Sequence, residues 1–117
     1  MDEPLVDLTR TAALADPATE AGQAALVEIF RAYFDNVCAA SDAMRRATAP
    51  EDVRAQAHRA KGASGIVGAV GLAALFADLE VRAAAGESVT RDVFDQIDAQ
   101  LAALRRTITA WLGRDLQ

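Results

Sequence analysis

Apolar residues return every three or four positions along most of this chain, and that spacing predicts helices. Between Thr19 and Arg46 the apolar positions are Leu26, Ile29, Phe30, Tyr33, Phe34, Val37 and Met44. They mark one face of a helix about 40 Å long, at roughly 1.5 Å per residue. Thr48-Ala49-Pro50-Glu51 reads as a capping box opening a second helix. Thr48 is expected to accept from the Glu51 backbone and Glu51 to reach back, with Pro50 tolerated in the first turn. Val53, Ala57, Ala60, Ser64 and Val67 then fall within about 40° of one direction, at roughly 100° per residue. Gly65 and Gly68 weaken this helix and predict a break near Val67-Gly68. A third helix, about Ala69 to Ala85, buries Leu72, Leu75, Phe76 and Leu79, and Gly86 suits a left-handed terminator. Ser88 or Thr90 caps a fourth, where Val93, Phe94, Ile97, Leu101, Leu104, Ile108 and Trp111 recur and Gly113 ends the run. Ahead of all this, Leu5 to Ala15 form a short, weakly amphipathic piece that Asp7 can cap and Asp16-Pro17 interrupts. It is expected to pack across an end of the domain.

Four amphipathic helices with short connections make an all-α fold the simplest outcome. The expected architecture is an antiparallel up-down-up-down four-helix bundle with a short N-terminal helical segment. The chain reads as one domain over residues 1–117, with the core bundle at about 19–113. Composition agrees: of 117 residues, 52% are hydrophobic and only 5% aromatic, much of the remainder being alanine, a strong helix former. The spacing of Phe30, Tyr33, Phe34, Phe76, Phe94 and Trp111 assigns them to the core.

Charge narrows the function. A net charge of −5 and a pI near 4.7 without a basic stripe disfavour nucleic acid and anionic membranes, since phosphates would be repelled. No apolar stretch approaches the roughly 20 residues needed to span a bilayer. The N-terminal Met1-Asp2-Glu3-Pro4 has no basic or apolar signal-peptide run. One cysteine, Cys38, cannot close an internal disulfide and is expected beside the apolar face of the first long helix, as a small core residue. These features fit a cytoplasmic protein.

The candidate chemistry gathers on one helix face. His58 is the only histidine, and the wheel turns it about 140° from the middle of the apolar stripe. Arg54, Lys61, Gly62 and Gly65 share its face. Lys61 lies one turn on, where helical residues are neighbours. The two glycines each cost roughly 1 kcal/mol against alanine in a helix, a cost that close approach of another molecule would offset. Phosphoryl transfer suits the set. Imidazoles titrate near neutral pH and are good nucleophiles there; a lysine one turn away can balance the charge a phosphoryl group brings. Catalysis of this kind is mostly positioning and charge stabilisation, and a partner can supply the metal.

The run His58-Arg59-Ala60-Lys61-Gly62-Ala63-Ser64, through Gly68-Ala69, Leu72 and Leu79-Glu80, closely resembles the histidine-containing phosphotransfer (HPt) domains of bacterial multistep phosphorelays. Those read His-x-x-Lys-Gly, then Gly-Ala, a spaced Leu and a Leu-Glu pair. The resemblance implies a four-helix bundle phosphorylated at His58, with Lys61 helping to hold the phosphoryl group and Gly62 letting a response-regulator receiver domain approach. It matches Glu80 to a polar position that contacts the imidazole in some members; a solvated surface glutamate is the competing reading. Ala60 departs from the leucine many members carry, which thins the core more than it alters chemistry. Arg54 and Arg59, with Gly62 and Gly65, are docking candidates for an acidic receiver site, although both arginines also read as plain solvated ones. The expected partners are receiver domains and a hybrid histidine kinase. No resident cofactor is expected, magnesium being supplied by the receiver, and the carrier is expected to be monomeric and to lack its own ATP site.

Two other functions compete. A helical adaptor bundle would bind a signalling partner with His58 incidental. A dimerisation-and-phosphotransfer fragment of a histidine kinase would expect an ATP-binding domain and a dimer. Other chemistry is poorly served. Zinc needs three or four ligands, more than one histidine and one cysteine supply. Ser64 on the apolar stripe makes a Ser-His hydrolase a poor fit. Gly62, Gly65, Gly68 and Gly71 follow no strand and lack the Gly-Lys-Ser/Thr ending of a phosphate loop.

Overall fold

The computed structural model describes residues 5–116, and among these it is all-helical with no strand. Five helices follow in order: α1 (Leu8–Ala12), α2 (Glu20–Arg46), α3 (Pro50–Val67), α4 (Val70–Ala84) and α5 (Arg91–Leu112). The four long ones form a closed ring, α2 against α3, α3 against α4, α4 against α5 and α5 back against α2. The core inside it is aliphatic with a knot of aromatic rings: Phe30, Phe34, Phe76, Leu26, Leu72, Leu79, Ile97, Leu104 and Ile108 are fully buried. On α3 the buried residues are Val53, Ala57, Ala60, Ser64 and Val67, the stripe expected from the sequence. Because most of them are small, α4 can lie close along α3.

Helix ends follow local chemistry. Thr19 caps α2, its hydroxyl accepting from the Gly22 backbone at 2.9 Å. A side chain at Gly22 would run into the Asp16 carbonyl, 1.8 Å from where its Cβ would sit. Gly68 and Gly113 close α3 and α5 with positive φ of 87° and 67°, and Gly86, after α4, has φ 77°.

The expected capping box at Thr48 does not form. The N-cap of α3 is Ala49, without a side-chain cap, and the helix begins at Pro50. The physical cause is the proline. It forces its predecessor into extended backbone, so Ala49 (φ −114°, ψ 138°) takes the cap conformation. Thr48 is left one residue too early. Thr90 likewise occupies the N-cap of α5 with no side-chain bond. Cys38 is exposed rather than a core residue, because it lies about 95° from the centre of the buried α2 stripe at roughly 100° per residue. Trp111 only half-enters the core at its edge. Leu112 and Leu116 close the core there instead, the latter on a tail whose Leu116 carbonyl accepts from Arg31 Nε at 2.9 Å.

The N-terminal segment is a strap over the turn between α3 and α4. Asp7 caps α1 by accepting from the backbone of Thr9 and Arg10. Its own N–H donates to the Gly68 carbonyl at 2.8 Å, and Gly71 N–H donates to the Leu5 carbonyl at 3.3 Å. Thr11, fully buried, donates from Oγ1 to the Val67 carbonyl at 2.8 Å. The strap thus gives a partner to the Val67 carbonyl at the end of α3 and a second donor to the Gly68 carbonyl, which also accepts from Val70 N–H at 2.9 Å.

Behind the His58 face, the Tyr33 and Ser64 hydroxyls meet at 2.7 Å in the buried contact between α2 and α3. Burial pushes the Tyr33 hydroxyl up to about 12, against the opposing pull of the Ser64 bond. In the unfolded chain a tyrosine ionises near ~10. The contribution of Tyr33 is therefore intact below about pH 10 and is lost as pH rises toward about 12. Denaturant unfolding across this range is expected to show an alkaline fall in stability that Tyr33→Phe flattens; an identical fall in the variant would refute the assignment.

Candidate functional site

α3 presents His58 on its outer side because its small stripe faces the opposite way into the bundle. The imidazole side chain is 65% exposed, while the carboxylate of Glu80, reaching across from α4, is 21% exposed. Nδ1 of His58 lies 2.9 Å from Glu80 Oε2. The Lys61 ammonium, one turn further along α3, lies 3.2 Å from both carboxylate oxygens of the same Glu80. Glu80 is thus shared between the histidine and the lysine. The hydrogen bonds from His58 and then Lys61 hold its carboxyl below the usual glutamate range. It is ionised near neutral pH, and an ionised carboxylate only accepts. Nδ1 must therefore carry the proton and donate. In the neutral ring this leaves the lone pair on Nε2, the nitrogen turned away from Glu80.

Beyond the imidazole, the outer face of α3 is open at its two glycines. A methyl group placed on Gly62 or Gly65 would meet nothing within 4 Å, so neither glycine is demanded by packing inside the chain. Arg54, one turn before His58, forms a bidentate pair with Glu51, which lowers the Glu51 carboxyl and raises the guanidinium. Arg59 is not brought to the His58 cluster. It lines a groove of about 410 Å³ between α2 and α3, beside Asn36, Gln56 and Ala60.

Two features escaped the sequence reading. Glu51 is the partner of Arg54, a contact that opposite charges three apart on a helix do signal. Ile66 and Val81 are 67% and 69% exposed. Ile66 continues the line His58, Gly62 at a spacing of four, and Val81 follows Glu80. Both lie well off the apolar stripe of their helix, so the periodicity carries no signal for them.

Among the described residues no cluster of histidine, cysteine or carboxylate side chains could hold a metal ion, and no helix is long and apolar enough to cross a membrane. What the arrangement offers is a solvent-facing imidazole whose inner nitrogen is occupied by a carboxylate, with a cation beside that carboxylate.

No curated protein and no solved structure gives a significant match to the chain. The family model of the Hpt domain matches residues 25–107, a span that includes His58, Lys61, Gly62 and Glu80. The chain therefore belongs to the Hpt domain family of histidine phosphotransfer carriers, which work in phosphorelays without an ATP site of their own.

Proposed function

We propose that this protein is a phosphorelay intermediate in which Nε2 of His58 accepts a phosphoryl group from a receiver-domain aspartyl phosphate and passes it to another receiver aspartate. One observation carries the reading: the Nδ1 contact with Glu80 at 2.9 Å, which leaves the outward nitrogen as the nucleophile. In the forward step the Nε2 lone pair forms the N–P bond. The P–O bond to the aspartyl carboxyl breaks, and the carboxylate departs with its electron pair. Glu80 accepts the hydrogen bond from Nδ1–H throughout and faces the positive charge that develops on the ring. Lys61 is near enough to leave Glu80 for the phosphoryl oxygens. Magnesium chemistry belongs to the receiver in this scheme, so the carrier holds no cofactor. The bundle acts as an antiparallel up-down-up-down monomer in the cytoplasm, with receiver domains and a hybrid histidine kinase as partners. Gly62 and Gly65, with Arg54 and Arg59 at the margins, form the docking surface.

Incubation with a phosphorylated receiver domain and magnesium is expected to move phosphate onto this chain in an acid-labile form. Gly62→Gln puts a bulky side chain into open space. It is expected to keep the melting temperature while slowing transfer about fivefold to tenfold, the equivalent of losing roughly one good contact. Transfer at the parental rate would remove the docking role of Gly62, and absence of any label from every receiver tried would sink the carrier assignment.

A further inference from the structure

Resting on the reading of His58 as the phosphorylated residue, we infer that Arg54 is a second phosphoryl-contacting group and that Glu51 is the carboxylate holding it in reserve. The argument starts from the helix. Residues four apart stand one above the other, and each side chain leans toward the N-terminus of its helix. The imidazole of His58 therefore tilts over the turn that carries Arg54, and Lys61 tilts back toward His58. Arg54 and Lys61 thus stand one turn before and one turn after His58 on the same helix face, with Arg54 drawn toward Glu51 in the unphosphorylated protein. Each is held by a carboxylate in the unphosphorylated protein, Lys61 by Glu80 and Arg54 by Glu51. The Glu80 carboxylate that grips the imidazole adds a small further pull on the guanidinium, after the dominant one from Glu51.

The exchange is favourable on charge grounds. Glu51 is 70% exposed and Arg54 40% exposed, and an ion pair so open to water is weak. A phosphoryl group on Nε2 brings close to two negative charges and three acceptor oxygens, which match a guanidinium fork better than one carboxylate does. Arg54 can leave Glu51 without stranding a buried charge. Glu51, already at the solvated first turn of α3, stays stabilised by the helix N-terminus. The sequence feature that builds this device is Glu51-x-x-Arg54-x-x-x-His58.

The test uses potassium phosphoramidate as donor, so that no receiver docks. The Nε2 lone pair takes the phosphoryl group as the N–P bond of the donor breaks and ammonia leaves. Arg54→Ala is expected to slow labelling about threefold to fivefold, in keeping with a solvent-exposed charge pair. Arg54→Lys, which keeps the charge but not the fork, is expected to recover part of the rate, and Glu51→Gln to raise it about twofold by releasing the guanidinium. Melting temperatures are measured alongside. If Arg54 served only the helix, Arg54→Ala and Glu51→Gln would lower the melting temperature together and leave labelling unchanged, which overturns the proposal. A loss seen with a phosphorylated receiver but not with phosphoramidate would assign Arg54 to docking and also overturn it. Label surviving in His58→Gln would instead overturn the reading of His58.

Discussion

His58→Gln is expected to leave the bundle folded and to take up no phosphate from any donor. Glutamine can still hydrogen-bond Glu80, and position 58 is two-thirds open to water, so the substitution creates no cavity. Substitutions at such surface sites usually change stability by about 0.5 kcal/mol or less. The chemistry has no fallback, since His58 is the chain's one histidine. The check is acid-labile label after exposure to a phosphorylated receiver, with circular dichroism for the fold. Phosphate still bound to the variant at the parental level would mean that another residue is the acceptor.

Gly68→Ala is expected to be the most damaging single-methyl change at the turn between α3 and α4. Two costs add. A residue with a side chain is strained at φ 87°, by about 1–3 kcal/mol. The new methyl would also lie 2.6 Å from the Asp7 carbonyl oxygen and 2.7 Å from Thr11 Oγ1. Neither neighbour is free to move: the carbonyl accepts from the Arg10 and Thr11 backbone, and the hydroxyl donates to Val67. Together these are expected to cost about 2–4 kcal/mol, a large share of the roughly 5–15 kcal/mol that holds a domain folded. The thermal midpoint should fall by about 10 °C or more. A fall within a degree or two would show that the strap does not sit against this turn.

The repeating stripes made most of the architecture readable in advance. Val53, Ala57, Ala60, Ser64 and Val67 are buried as their spacing requires, and that same wheel turned His58 outward. What failed was local competition. At Thr48 the capping pattern was present, but the extended backbone that Pro50 imposes on Ala49 moved the helix start by one residue. At Cys38 the edge of a stripe was too close to decide inside from outside, and the side chain ended outside. For the site, residues on α3 were legible because they share one helix. The meeting of Glu80 with both His58 and Lys61 was harder to read, since it depends on how α4 is laid along α3. Only the resemblance to HPt domains pointed to it. The grip of the strap on Val67 and Gly68 had no sequence signal at all, because it is made largely by backbone groups.

That grip has a kinetic consequence. The bond from Thr11 to Val67 joins residues 56 positions apart, and its acceptor is a carbonyl at the very end of α3. The strap has nothing to hold until that turn is built, so it is expected to close late on the folding path. Contacts absent from the rate-limiting ensemble act on escape from the native state and barely on arrival. Residues 5–11 are therefore expected to set how long the folded bundle lasts before it opens, while its speed of assembly is left to the helices they tie down.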